Sequence, residues 1–218
     1  FKGGHNGAGH NHNDVGAFGV AVDGREIVGD PGLKKYDLDT FGPKRYNSPM
    51  LNSYGHAVPY PDGMLQGAGK ERSAKILSTD FTDARDTIEL DLRDAYTNGN
   101  IRTLTRRLTY DRAGATVEVR DHVVFGRTAT YESPISTFGK VEKGAAEGTF
   151  VIVRETPAGV KRLAFAVDAG GTKWHVKEEK VPNPGRTEPT RFAIVLDEPV
   201  AEATVTVCYR REKEGSVK

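Results

Sequence analysis

The 218 residues predict an all-β fold, a large antiparallel β-sandwich, and three observations carry that expectation. Apolar and polar residues alternate in segment after segment, whereas the 3.6-residue periodicity of an amphipathic helix is almost absent. Tight-turn sequences such as Asp23-Gly24, Pro61-Asp62-Gly63 and Asp111-Arg112-Ala113-Gly114 punctuate those segments. No shift in composition and no internal repeat divides the chain, so residues 1–218 read as one domain with enough length to bury a sizeable core.

Taken in order, residues 15–22 and 25–28 flank Asp23-Gly24 and predict a hairpin closed by a type I′ turn. The stretch 31–59 follows, rich in Tyr, Asn, Pro and Gly and weakly periodic; an ordered loop of this length is uncommon and often functional. In residues 87–93, Ile88, Leu90 and Leu92 share one face and charges occupy the other. Residues 101–110 and 115–125 form a second strong hairpin pattern. Further strands are expected at 150–154, 162–167, 174–177, 191–196 and 203–210, with a plain loop at 181–189.

Composition excludes several functions. A formal net charge of +1 provides no global field for nucleic acid or an acidic membrane. Arg102, Arg106 and Arg107 are the local basic cluster, and on a strand they read as a solvated face. No apolar run approaches the roughly 20 residues of a membrane span, and the chain's start has no signal-peptide pattern. Cys208 is the single cysteine, so neither an intrachain disulfide nor a thiolate metal cluster is available; it lies in an alternating strand pattern and reads as a small packing residue.

The chemistry concentrates at the start, in Gly3-Gly-His-Asn-Gly-Ala-Gly-His10-Asn-His12-Asn-Asp14. If this segment is extended, His10, His12 and Asp14 project to one side. Zinc favours imidazole nitrogen and carboxylate oxygen in a tetrahedral shell, and without usable thiolates its ligands must come from such residues. His12 is the strongest candidate. Asp30, after the first hairpin in Gly29-Asp30-Pro31-Gly32, returns towards the level of His12, and His56 ends the irregular loop and closes a triad. Plainer roles stay open: Asp30 as a cap of its own turn, and His56 as a hydrogen-bonded or surface residue. His122 and His175 sit inside strand patterns and carry no assigned chemistry, and His5 is expected to fray with the terminus. A motif this close to a chain end also suggests a piece of a longer protein.

The same residues resemble a known family. Lys2-Gly-Gly-His-Asn-Gly and His10-Asn-His-Asn-Asp-Val-Gly-Ala-Phe18 are similar to the opening of the C-terminal domain of heparinase II/III-like polysaccharide lyases. The similarity continues through Asp23-Gly24, Gly29-Asp-Pro-Gly32, Thr40-Phe41, Arg45-Tyr46, Ser53, His56, Pro59, Asp62-Gly63, Gln66, Gly69 and Asp94-Ala-Tyr96. It covers about the first hundred residues, and beyond Arg102 only a strand-rich tail remains alike. Two departures stand out: His56 is followed by Ala57 rather than Asn, and Asn47-Ser-Pro-Met50 replaces an expected Ile-Trp pair.

The resemblance implies the β-sandwich half of a toroid-plus-sandwich enzyme, whose N-terminal α/α toroid is absent from this chain and would be its partner within the same protein. It implies cleavage of uronic-acid polysaccharides by β-elimination, Zn2+ held by His12, Asp30 and His56, and His10 as the active-site histidine beside the metal. Tyr46 is the second catalytic candidate, and Asp14 becomes local backbone support. An acidic polysaccharide is the expected partner, with no nucleic acid and no membrane, a homodimer allowed, and a periplasmic or secreted location. The fragment alone is expected to be inactive. Two other readings fit the residues: a non-catalytic carbohydrate-binding sandwich, in which the histidines and Trp174 hold sugar, and a purely structural sandwich.

Overall fold

The structure, a computed structural model, describes residues 1–212. Its strands run in chain order β1 (His5–Asn6), β2 (Val20–Val22), β3 (Arg25–Val28), β4 (Tyr60–Pro61), β5 (Gly69–Ser73), β6 (Lys75–Phe81), β7 (Arg85–Asp91) and β8 (Ile101–Asp111). They continue as β9 (Thr116–Ala129), β10 (Tyr131–Thr137), β11 (Lys140–Lys143), β12 (Thr149–Thr156), β13 (Gly159–Asp168), β14 (Trp174–Lys180), β15 (Thr190–Leu196) and β16 (Val200–Arg211). Short 3-10 turns at Arg45–Asn47, Ser53–Gly55 and Arg93–Ala95 are the helical elements among the described residues, and none is long and apolar enough to cross a membrane.

The all-β expectation holds. An eight-stranded antiparallel sheet of order β11-β12-β13-β16-β9-β8-β7-β6 packs against a four-stranded sheet of order β14-β15-β10-β4, and β2-β3 and β1-β5 form small ribbons beside them. Alternation builds the core. In β16, Ala203, Val205, Val207 and Tyr209 face inward, and across β15 Phe192, Ile194 and Leu196 meet them. Phe165 of β13 bridges the layers, with its ring 5.8 Å from Phe192 and 5.6 Å from Tyr209.

The tight turns match their sequences. Asp23 and Gly24 both adopt left-handed angles (φ 49° and 71°), as a type I′ turn demands, and Asp62-Gly63 does the same (φ 55° and 66°). Six strands fall outside those the sequence predicts: β1, β4, β5, β6, β10 and β11. Pro134 lies within β10, which argues against a strand, but β4 pairs only with Tyr131 and Glu132 of it. The edge is open at Pro134, where a missing N–H is tolerated. β6 is an exposed edge with Ile76 and Leu77 adjacent, so it shows no two-residue period.

One core position overturns the reading of the basic cluster. Arg102 and Arg107 are exposed, but Arg106 is fully buried, on the inward face of β8. Across the strand pair it meets Asp121 of β9 in a bidentate ion pair, Nε to Oδ1 at 2.6 Å and Nη2 to Oδ2 at 2.7 Å. Its remaining nitrogen, Nη1, donates to the carbonyls of Gly16 (2.9 Å) and Ala57 (2.6 Å), and Ser133 Oγ donates to Asp121 Oδ2. Burial alone would lower the Arg106 pKa; the Asp121 carboxylate outweighs it and raises the pKa, so the guanidinium stays charged.

Removing one partner leaves an uncompensated buried charge. Asp121→Ala should therefore destabilise the protein by about 3–5 kcal/mol, read from urea unfolding. Arg107→Ala, which breaks an exposed pair with Glu89, should stay within about 1 kcal/mol. Equal losses for the two variants would contradict the hub role of the buried pair.

Candidate metal centre

Three segments converge on one point at the rim of the sandwich. The first holds His12. It is not extended: His10 adopts a left-handed angle (φ 56°), the chain kinks there, and His10 and His12 do not share a strand face as the extended reading expected. Backbone contacts hold the segment instead. Asn13 N donates to Leu51 O (3.0 Å), and Arg45 Nε and Nη2 both donate to Asn11 O (3.1 and 2.6 Å). Gln66 closes it from below, accepting from Val15 N and Asn6 Nδ2 and donating to Val15 O. β1 pairs with β5, so His5 is ordered in a ribbon rather than frayed.

The second segment brings Asp30. β3 leads into it, and Gly29 N donates to Ser136 O of β10 (3.0 Å). Asp30 Oδ1 accepts from Gly32 N at 2.7 Å, so the carboxylate does cap its own turn. Its other oxygen, Oδ2, remains free to lie 3.9 Å from His12 Nδ1 and 3.8 Å from His56 Nδ1. The two readings of Asp30 are thus served by its two oxygens.

The third segment brings His56, buried at the end of the irregular 31–59 loop. Its neighbour Ala57 is tied to Arg106, Val58 N donates to His56 O, and Ser53 Oγ accepts from Gln66 N. His56 Nε2 lies 3.3 Å from Met50 O. A proton on Nε2 that donates to this carbonyl leaves the Nδ1 lone pair facing Asp30 and His12, the arrangement a metal-bound histidine uses.

The donor atoms of His12, Asp30 and His56 all lie within 4.8 Å of one another, and the imidazole centroids are 5.2 Å apart. A tetrahedral zinc shell with bonds of ~2.1 Å separates neighbouring donors by roughly 3.4 Å, so the donor set fits after an inward shift of about half an ångström. Burial lowers the pKa of both histidines, with Asp30 opposing it, and His56 is pushed down to about 3. Both rings are neutral at neutral pH and available as ligands.

Asp14 is not in the triad, and its side chain does not support the local backbone. Its carboxylate pairs with Lys2 and stands 3.8 Å from His56 Nδ1, as far as Asp30 does, adding negative charge beside the triad. His10 is exposed, its ring packed edge-on against Phe41 at 5.1 Å, and Phe41 in turn meets Tyr36 at 5.3 Å. Tyr46 is half-buried in a 3-10 turn, beside the Arg45 guanidinium at 5.7 Å. Neither His10 nor Tyr46 is among the three convergent side chains. Sequence reading missed Arg45 as the strap over Asn11, although the Arg45-Tyr46 pair was visible as a motif.

Known structures share this fold. A heparinase III gene product matches with a TM-score of 0.74 at 14% identity, over 99% of this chain and 33% of that one. A crystal structure of heparinase III matches with a TM-score of 0.69 at 14% identity, over 93% and 30%. Heparan sulfate lyase HepC from Pedobacter heparinus gives 0.68 at 16% identity, over 94% and 31%. The chain spans about a third of the length of these structures. No family model and no curated protein matches it.

In the metal-free protein His56 sets a pH signature. The folded state keeps the ring neutral down to about pH 3, whereas the unfolded chain protonates near the ordinary 6.5. Between these values the unfolded state binds the extra proton, so this contribution to stability is complete above 6.5 and is lost as pH falls towards 3. The expected slope is at most about 1.4 kcal/mol per pH unit, and His56→Gln should flatten it in urea unfolding followed against pH. An unchanged slope in that variant would refute the buried neutral imidazole.

Proposed function

We propose that this chain is the sandwich portion of a polysaccharide lyase that cleaves uronic-acid-containing polymers by β-elimination, with a zinc ion held by His12, Asp30 and His56. One observation carries the reading: a His-Asp-His donor set converges, beside an exposed histidine, on a fold shared along nearly its whole length with heparinase III and heparan sulfate lyase structures. The lyase chemistry and the acidic glycan class come from the names of those proteins. An exported location, periplasmic or secreted, suits a polymer too large to enter a cell.

In such a reaction a base takes the C5 proton beside the uronate carboxylate, and the electron pair left on C5 forms the C4–C5 double bond as the C4–O4 bond breaks. The leaving oxygen keeps the pair of the broken bond and takes a proton. His10 is suited to proton transfer or to contact with the carboxylate, since its ring is exposed and held by Phe41. Its left-handed backbone costs of order 1 kcal/mol, and such strain persists where the surroundings enforce it. Tyr46 is the second candidate for proton transfer. A zinc ion at the triad would supply a cross-link between three segments that share little regular pairing. Asp30 and His56 flank the two ends of the 31–59 loop, so the ion would hold both ends in register with His12, and Arg45 fixes the backbone between His10 and His12.

Elemental analysis of the native protein should find one zinc per chain, and His12→Ala should lose it and loosen residues 31–59 in hydrogen exchange. Absence of stoichiometric metal would sink the triad. In the complete protein, the ultraviolet absorbance of the unsaturated product should report lyase activity on a heparan sulfate or alginate substrate. There His10→Ala should lower the rate by about 10²–10⁴-fold with zinc retained. No activity on any uronate polymer would leave a binding or structural sandwich as the better account.

A further inference from the structure

A cleft of about 590 Å³ opens between the β11–β12 connection, the β13–β14 turn and the end of β15. It is remote from the metal triad. Trp174 begins β14, whereas the triad side is marked near the strand's other end by Glu179, which accepts a hydrogen bond from Tyr54. The length of β14 separates the two by about 20 Å.

Trp174 is the single tryptophan of the chain, and it is only partly buried. Its indole rests against the buried Phe150 ring, 6.4 Å away at 57°, and Phe150 packs on Phe165 and Phe192. The platform is therefore rigid from behind. Gly148 runs along its edge with φ +70°, and a Cβ there would stand 3.5 Å from Trp174 Cζ2. A side chain at Gly148 would thus lie against the indole edge that the glycine leaves uncovered.

Polar groups beside the indole are fixed in advance. Asp168 Oδ1 accepts from Gly170 N at 2.8 Å, and Asp197 Oδ1 lies 2.7 Å from His175 Nδ1. In each carboxylate the second oxygen has no hydrogen-bond partner among the described residues. Glu147 and Lys173 complete the lining, so three carboxylates face one ammonium.

From this arrangement we propose that the cleft binds an uncharged sugar residue. The ring's C–H face would stack on the indole, and its hydroxyls would donate to Asp168 and Asp197. The carboxylate excess repels a uronate or a sulfate, so this ligand differs in charge from the polymer proposed for the metal side. Preset carboxylates lower the ordering penalty of binding. The inference does not depend on lyase activity.

The test titrates the protein with cellohexaose, xylohexaose and N-acetylchitohexaose, with a heparin-derived hexasaccharide as the anionic control. Emission from the lone Trp174 reads binding directly, and calorimetry follows the variants. At least one neutral hexasaccharide should saturate with a blue-shifted emission. Trp174→Phe and, separately, the surface change Asp197→Asn should each weaken it roughly tenfold or more. The Asp197 variant keeps the aromatic packing, so it separates loss of the site from loss of the fold. The proposal fails if none of the three neutral sugars saturates by about 5 mM. It also fails if the heparin hexasaccharide binds as tightly at Trp174, or if Asp197→Asn leaves affinity unchanged.

Discussion

The pair Arg106–Asp121 is the interaction on which the arrangement of the site depends. It lies inside the sandwich, where an ion pair is tolerated only with good geometry and full hydrogen bonding. That condition is met by the backbone of two other segments: Gly16 O, four residues past His12, and Ala57 O, next to His56. Satisfying the guanidinium therefore places two of the three converging donor residues relative to the large sheet. Phe18 lies 5.3 Å from the guanidinium carbon and covers the pair. The charge is costly to bury, and the same cost makes alternative positions of these two irregular segments unfavourable.

The irregular region around the site needs such constraints because it lacks a ladder of strand pairs. Residues 31–59 contain two 3-10 turns and no strand. Its order comes from successive backbone turns and from side-chain–backbone bonds: Arg45 to Asn11 and Thr40, Asn52 to Tyr46, and Gln66 N to Ser53 Oγ. Each such bond contributes on the order of 1 kcal/mol, and their number rather than any single one holds the loop. Convergence of three donors from three segments is then a property of the assembled rim and of no local sequence stretch.

This explains what was legible beforehand. The β2–β3 hairpin and the turn after β4 were readable because Asp23-Gly24 and Asp62-Gly63 encode left-handed angles locally, and the inward faces of β8, β9 and β16 because alternation is local too. The grouping of His12, Asp30 and His56 was legible from residue type and resemblance, and the geometry brings them together. The side of the chain on which His10 falls was not, since one left-handed residue reverses an argument from alternation. Nor was the burial of Arg106: a charge at an inward strand position is interpretable only with Asp121, fifteen residues on, at the paired position. β10 escapes a reading from sequence for a similar reason, since the open edge that tolerates Pro134 depends on how short β4 is.

The separation of His10 from His12 bears on how one short motif serves two ends. Were the segment extended, both rings would crowd the same point, and a third imidazole would compete for the donor set. The turn at His10 directs that ring to Phe41 while His12 stays with Asp30 and His56. Arg45 makes the division firm by binding Asn11 O, the carbonyl between the two histidines, with two nitrogens. The guanidinium also lies 5.7 Å from the rings of Phe41 and Tyr46. A single residue of the irregular loop thus holds the backbone beside His12 and the aromatic support of the exposed histidine. Loss of that contact would release both together, so the exposed histidine and the His12 side of the donor set form one mechanical unit.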